Sequence, residues 1–214
     1  MCIICLSKKG IRQPNQSEIK NMWNANPDGA GYMTIRDGRV EIHKGFMNLK
    51  DFTRSVNEER FTKDDVVVYH FRISTQAGVT PSMTHPFPLS SDLADMNLLD
   101  CTCDVGIAHN GIIKLTSCAD KEYSDTALFI TEYLPALIRD NEDITDKRVL
   151  RTIKALAQSK LVLLSCDGDV GVIGDFWSDK SGLMFSNRSF LPRTFERTWN
   201  LQDLYSYRNL HKAL

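Results

Sequence analysis

The second residue of the chain is a cysteine, and this position gives its side chain particular chemical possibilities. The sequence begins Met1-Cys2, and a small second residue permits removal of the initiator methionine. Cys2 would then carry a thiol and the free α-amine of the chain. A terminal amine has a reference pKa of about 7.7–8.0, so it can act as a general base and activate the thiol beside it. Retention of Met1 would block this amine, and a cysteine that merely stands second in a strand is the alternative interpretation.

Further positions carry groups suited to holding or polarising a substrate. Arg72 ends an apolar, β-branched segment, where a guanidinium can bind a carboxylate through two hydrogen bonds. Asn110 and Gly111 interrupt a second apolar segment, and an amide side chain beside a backbone N–H supplies two donors for a developing oxyanion. Asp125 stands at a predicted helix start, where it can bind an ammonium group or cap the helix. Taken singly, these residues have simpler explanations: a surface arginine, an Asn-Gly turn and a helix cap.

In combination, these residues resemble the motifs of the class II glutamine amidotransferases. That family has an N-terminal Cys, a strand ending in His-x-Arg-x-x-Thr, a later His-Pro, a His-Asn-Gly element and a Ser/Thr-Asp-Thr/Ser element. The resemblance covers residues 2–126, which is more than half of the 214 residues. The matching elements, in the same order, are Cys2, His70-Phe71-Arg72-Ile73-Ser74-Thr75, Thr84-His85-Pro86, His109-Asn110-Gly111 and Ser124-Asp125-Thr126.

The resemblance implies a role for each matched residue. Cys2 attacks the side-chain amide carbon of glutamine and forms a glutamyl thioester, while its own α-amine relays the proton. Asn110 and the Gly111 N–H stabilise the oxyanion. The implied substrate-binding residues are Arg72 with Thr75 for the α-carboxylate, Asp125 for the α-ammonium, and His85 for the pocket wall, although a generic His-Pro turn is the alternative for His85.

The resemblance also implies an activity and partners. The protein would release glutamate and ammonia from glutamine without a cofactor or metal. No acceptor segment is recognisable in the sequence, so we expect a separate synthetase subunit to use the ammonia. Two alternatives stay open: a stand-alone amidase acting on another γ-glutamyl or acyl amide, and a non-enzymatic module that has kept the fold. The motif sequences are similar to those of small stand-alone amidotransferases predicted in bacteriophage and prophage genomes.

Composition is that of an ordinary globular protein. Hydrophobic residues make up 42%, charged residues 25%, and the net charge is -1, which gives no indication of direct nucleic-acid binding. No apolar run approaches the roughly 20 residues that span a bilayer, and the N-terminus lacks the basic start of a secretory signal. We therefore expect a cytoplasmic protein (host cytoplasm if it is phage-encoded) whose six cysteines are free thiols.

Hydrophobic periodicity predicts the elements that position these residues. The length suits a single domain, residues 1–214, and the mixture of strands and helices indicates an α+β fold. The resemblance implies a four-layer αββα sandwich of the N-terminal-nucleophile hydrolase type, with two mostly antiparallel sheets between helical layers. The predicted strands are 2–7, 31–36, 39–45, 66–73, 104–109, 112–115, 160–166 and 170–174, with a hairpin near 177–186; 74–88 is a predicted loop; the predicted helices are 17–25, 48–58, 125–138 and 146–157.

Overall fold

A computed structural model of the protein describes residues 1–74, 79–115 and 123–191. These residues form two antiparallel sheets and four α-helices, which makes the fold α+β. The helices are α1 (Gln16–Ala25), α2 (Leu49–Glu59), α3 (Asp125–Leu137) and α4 (Lys147–Ala157). The strands are β1 (Ile3–Ser7), β2 (Ala30–Arg36), β3 (Arg39–Phe46), β4 (Val67–Phe71), β5 (Phe87–Pro88), β6 (Asp100–Cys103), β7 (Val105–Asn110), β8 (Lys160–Ser165), β9 (Val170–Ile173), β10 (Trp177–Ser178) and β11 (Met184–Phe185).

The strands divide between a seven-stranded first sheet and a four-stranded second sheet. The order in the first sheet is β10-β11-β1-β4-β2-β3-β6, and the order in the second is β5-β7-β8-β9. Strands β1 and β4 are adjacent in the middle of the first sheet, and both are buried along their whole length. Their continuous apolar sequences are typical of strands that are covered on both faces. Strands β2 and β3, predicted at 31–36 and 39–45, form a hairpin that turns at Asp37 and Gly38, which both have positive φ as such a turn requires.

Alternating side chains of the strands build separate cores on the two sides of each sheet. In β1, Ile3 and Cys5 pack with α1 and α2, whereas Ile4 and Leu6 pack with residues of the second sheet. Helices α3 and α4 share a core with the other face of the second sheet. The layers are therefore helices, sheet, sheet and helices, which is compatible with the predicted sandwich. The space between the two sheets is called the inter-sheet core below.

Polar side chains fix where the helices begin. Asn15 and Glu18 form a capping box at the start of α1. Ser124 caps α3, since its side chain accepts a hydrogen bond from the Ala127 N–H. Asp125 is therefore the first helical residue and not the cap that the sequence offered as an alternative. The Asp125 carboxylate follows the cap residue Ser124 by one position, and it binds the backbone N–H groups of Ile113 and Thr126 instead of capping the helix.

Two parts of the predicted strand pattern differ from the structure. The predicted strand at 112–115 is wrong, because the chain leaves β7 at Gly111, whose φ is 147°, and Asp125 then captures the next segment by accepting the Ile113 N–H. The short strands β5 and β6 were not predicted. Strand β5 lies in the predicted loop at 74–88, and β6 is a polar edge strand beside β3. Residues beyond 191, including the polar tail, lie outside the described residues.

Candidate active site

Cys2 lies directly before β1, at the edge of the inter-sheet core. Ile4 faces that core, and strand alternation directs Cys2 to the same side. The half-buried thiol contacts the Ile73 carbonyl oxygen at 3.7 Å. Burial raises the pKa of the Cys2 thiol, and the positive charges of the amino terminus and Arg72 offset part of that rise. The thiol is therefore protonated at neutral pH, and a base must remove its proton before it can act as a nucleophile.

Two asparagine side chains hold the backbone around Cys2. Asn26 Nδ2 donates to the Met1 carbonyl oxygen at 2.8 Å, and Asn187 Nδ2 donates to the Cys2 carbonyl oxygen at 2.6 Å. Asn26 Oδ1 is buried and has no hydrogen-bond partner among the described residues. The Asn26 amide therefore lies beside the Met1–Cys2 peptide, because the Met1 carbonyl and the Cys2 nitrogen belong to one planar unit.

Arg72 follows β4 and lies beside Cys2, because β1 and β4 pair Ile3 with Phe71. Its backbone is fixed from both directions: its N–H donates to the Gly29 oxygen at 2.8 Å, and its carbonyl accepts the Asp28 N–H at 3.0 Å. Arg72 Nη1 is buried and lacks a hydrogen-bond partner within the described ranges. A buried guanidinium nitrogen in this condition is a site that a carboxylate ligand can satisfy.

His85 occupies a buried position against His70 and His109, and only 7% of its surface is exposed. Its ring stacks on His70 at 4.3 Å and lies 4.8 Å from Phe87, while its Nδ1 accepts the His109 N–H at 3.2 Å. Burial lowers the pKa of His85 well below its ordinary value, so the ring is neutral. A side chain at Gly31 would collide with the His85 carbonyl oxygen, which explains the glycine in β2. These contacts place His85 among buried ring side chains.

Asn110 is the last residue of β7, on the side of the second sheet that faces the first. Its Nδ2 lies 2.8 Å from Ser186 Oγ, which also accepts the Ile4 N–H at 2.9 Å, so two hydrogen bonds link the Asn110 amide to β1. Asn110 Oδ1 is buried with no partner among the residues that the structure describes. The next residue, Gly111, has a positive φ, and a Cβ there would collide with Ser159 Oγ.

Asp125 anchors the segment that follows Gly111. Its Oδ2 accepts the Ile113 N–H at 2.6 Å and its Oδ1 accepts the Thr126 N–H at 2.8 Å. Asp125 Oδ1 also lies 3.3 Å from the Thr126 hydroxyl, so the carboxylate ties the start of α3 to the segment after Gly111. Thr75, the remaining predicted substrate-binding residue, lies outside the described residues.

The structure thus brings Cys2 and Arg72 together at one end of the first sheet and links Asn110 to that end through Ser186. Sequence reasoning missed the supporting residues. Asn26 stands in the Asn-Pro-Asp-Gly segment, where its composition indicated only a turn. Nothing in the sequence around Ser186 marked it, because its partners Ile4 and Asn110 are distant along the chain. A shallow surface groove along α2, lined by Lys50, Thr53, Arg54, Asn57, Glu58 and Arg60, contains none of the predicted site residues.

No protein-family model matches the chain, and no curated protein matches it significantly. Any assignment of function therefore depends on the motifs and on the geometry of the side chains that carry them. Within the described ranges, no helix is long and apolar enough to cross a membrane, and no group of three or more His, Cys, Asp or Glu residues is placed to bind a metal ion. The five described cysteines are free thiols, and Cys118 lies outside the described residues.

Proposed function

We propose that the protein is a class II glutamine amidotransferase of the N-terminal-nucleophile hydrolase type, in which Cys2 cuts the side-chain amide of glutamine. The observation that carries the proposal is the placement of Cys2 beside Arg72, whose Nη1 is buried without a partner among the described residues. A nucleophile next to a guanidinium with one unpartnered nitrogen suits a substrate that has both an electrophilic carbon and a carboxylate. The layered α+β fold is compatible with this class.

The amine of Cys2 supplies the base in this mechanism. After loss of Met1, the α-amine takes the thiol proton, and the sulfur attacks the amide carbon of glutamine. The tetrahedral intermediate expels ammonia, which leaves with the proton from the amine, and a glutamyl thioester remains. Water then hydrolyses the thioester to glutamate and regenerates the thiol. The raised pKa of the buried thiol explains why a neighbouring base is needed.

The Asn110 side chain is suited to the oxyanion because of what surrounds its amide. Ser186 Oγ already accepts the Ile4 N–H, so its own proton is available to a second acceptor. A half-turn of the Asn110 amide places Oδ1 against that hydroxyl and turns Nδ2 toward the buried position that Oδ1 now occupies without a partner. In that orientation Asn110 Nδ2 and the Gly111 N–H act together as the oxyanion donors.

The remaining residues hold the amino-acid end of the substrate. Arg72, with Thr75, binds the α-carboxylate, and Asp125, the first residue of α3, binds the α-ammonium by charge attraction. His85 supports the pocket wall. The released ammonia passes to an acceptor site that uses it, as in a glutamine-dependent synthetase.

Mass spectrometry combined with affinity labelling tests this function. Purified protein should lack Met1, should release glutamate from glutamine, and should take up one equivalent of a glutamine-like diazoketone at Cys2. The other cysteines should stay unlabelled and glutamine should protect Cys2, because only Cys2 has a base and an amino-acid clamp beside it.

The Cys2→Ala variant is the control for this labelling. It should take up no label and should bind glutamine without turning it over. Even labelling of all cysteines without protection by glutamine would favour a non-enzymatic module. Full activity in a form that retains Met1 would overturn the role of the amine.

A further inference from the structure

We infer that His109 and Ser159 are positioning residues that strengthen the Gly111 N–H as an oxyanion donor by acting through the Asn110 carbonyl. The inference rests on the proposed function, because it takes the Gly111 N–H as a donor to the reacting oxygen. The family motif contains His109 next to these donors, but His109 itself faces the opposite side of β7 and therefore needs an explanation of its own.

His109 and Ser159 form a short chain of hydrogen bonds beneath the Asn110–Gly111 peptide. His109 is only 2% exposed, and its Nδ1 lies 2.7 Å from Thr126 Oγ1 in the first turn of α3. Its Nε2 lies 2.6 Å from Ser159 Oγ, and Ser159 Oγ donates to the Asn110 carbonyl oxygen at 3.1 Å. The chain therefore runs from the start of α3 to the peptide that carries the Gly111 N–H.

The number of available protons determines which atom donates in each of these hydrogen bonds. A carbonyl oxygen only accepts, so the Ser159 hydroxyl proton goes to Asn110, and Ser159 Oγ must accept its other bond from His109 Nε2. His109 Nδ1 is then the acceptor for the Thr126 hydroxyl. Burial lowers the pKa of His109 to about 4, so the ring is neutral and carries the one proton that this arrangement needs. Thr126 Oγ1 also lies 3.3 Å from Asp125 Oδ1, and the shorter contact to His109 is the better hydrogen bond.

The last link acts on the proposed oxyanion donor because of peptide geometry. The Asn110 C=O and the Gly111 N–H belong to one planar conjugated unit, so a donor on the oxygen makes the N–H more acidic. Independent support comes from Gly111 itself, whose absent side chain leaves the space that Ser159 Oγ fills. Ser159 thus both orients and polarises this peptide.

The expected effect on catalysis is moderate. A neighbouring hydrogen bond strengthens another by about 10–30%, and one oxyanion donor changes kcat by about 10²–10³, so loss of the Ser159 hydroxyl should lower kcat roughly two- to eightfold. KM for glutamine should change little, because the oxyanion is absent from the ground state. A merely structural role would change KM and kcat together.

Kinetics of Ser159→Ala, Ser159→Thr and Thr131→Ala test the inference. Ser159→Thr restores a hydroxyl and should recover kcat. Thr131→Ala deletes a hydroxyl that donates to the Ala127 carbonyl within α3, so it should leave kcat and KM unchanged. Unchanged kcat in Ser159→Ala, or a matching loss in Thr131→Ala, would overturn the inference.

Nitrogen-15 NMR provides a measurement that does not depend on turnover. His109 should be protonated at Nε2 and unprotonated at Nδ1, and Ser159→Ala should shift the Gly111 amide proton upfield. The opposite tautomer, or an unmoved Gly111 amide, would overturn the inference even in active protein. Wild-type protein that shows these signals but releases no glutamate would instead overturn the proposed function and leave the polarised peptide standing.

Discussion

The two sides of the candidate site differ in how far the protein satisfies its own polar groups. Next to Gly111, the side chains of Thr126, His109 and Ser159 and the Asn110 carbonyl are joined by hydrogen bonds, and each donor has an acceptor. Around Cys2, by contrast, Asn26 Oδ1 and Arg72 Nη1 are buried without a hydrogen-bond partner among the described residues. A buried group in this state costs about 1–3 kcal/mol. Asn110 Oδ1 is buried in the same state, so only the backbone peptide between Asn110 and Gly111 is held by a complete set of hydrogen bonds. The unpaired atoms of Asn26, Arg72 and Asn110 carry a cost that a bound ligand can recover.

Asn110→Ala gives the largest expected effect. It should lower kcat by about 10²–10³ and leave KM nearly unchanged, because the lost donor serves only the transition state. Steady-state glutamate release measures both constants. Asn141→Ala is a matched control, since Asn141 binds Asp167 on the surface, and it should behave like wild type. A large rise in KM for Asn110→Ala would show that Asn110 holds the substrate in the ground state, and it would overturn the assignment of Asn110 to the oxyanion.

Arg72→Ala should separate function from stability. The fall in kcat/KM should correspond to about 2–4 kcal/mol of lost binding free energy. Most of it should appear as a higher KM, because a carboxylate clamp acts in the ground and transition states alike. The ligand-free variant should melt at the same temperature as wild type or higher, since it loses a buried guanidinium nitrogen that has no hydrogen-bond partner among the described residues. The control is Arg36→Ala, which removes an ion pair with Asp65 and should leave KM unchanged. Strong destabilisation with unchanged KM would show that Arg72 is structural.

Acid should destabilise the folded protein through its buried histidines. Burial lowers the pKa values of His70, His85 and His109, to about 3 for His70 and about 4 for His109. Below the ordinary histidine pKa of about 6.5, the unfolded chain binds protons that the folded protein excludes, so stability is complete above about 6.5 and falls as pH approaches the folded values. At pH 4.5 we expect a loss of about 2 kcal/mol for each of His70 and His109.

Urea unfolding at pH 7 and pH 4.5 measures this loss. His70→Gln should reduce the pH-dependent difference by about one histidine's share, about 2 kcal/mol, whatever its absolute stability. A difference that does not change in this variant would show that His70 titrates alike in the folded and unfolded states.

Local sequence patterns predicted the elements that carry the site but not the contacts that complete it. The β-branched run before Arg72 and the turn residues Asp37 and Gly38 gave strand and hairpin correctly, because their preferences are local. Apolar residues after Gly111 suggested a strand, but the Ile113 N–H donates instead to the Asp125 side chain at the start of α3. Ser159 contacts the Asn110 carbonyl from a site 49 residues further along the chain, and no short-range pattern encodes such a contact.

The attachment of β1 to the far end of the chain has a consequence for biosynthesis. Ser186 binds the backbone of Ile4, and Asn187 binds the carbonyl of Cys2. At about 5–20 residues per second, a ribosome needs roughly 10–40 s to pass from Cys2 to Asn187. For that interval the amino terminus has neither contact, and the Met1–Cys2 peptide is open to an aminopeptidase. In the proposed mechanism, loss of Met1 falls within this interval, and pairing of β11 with β1 then fixes Cys2.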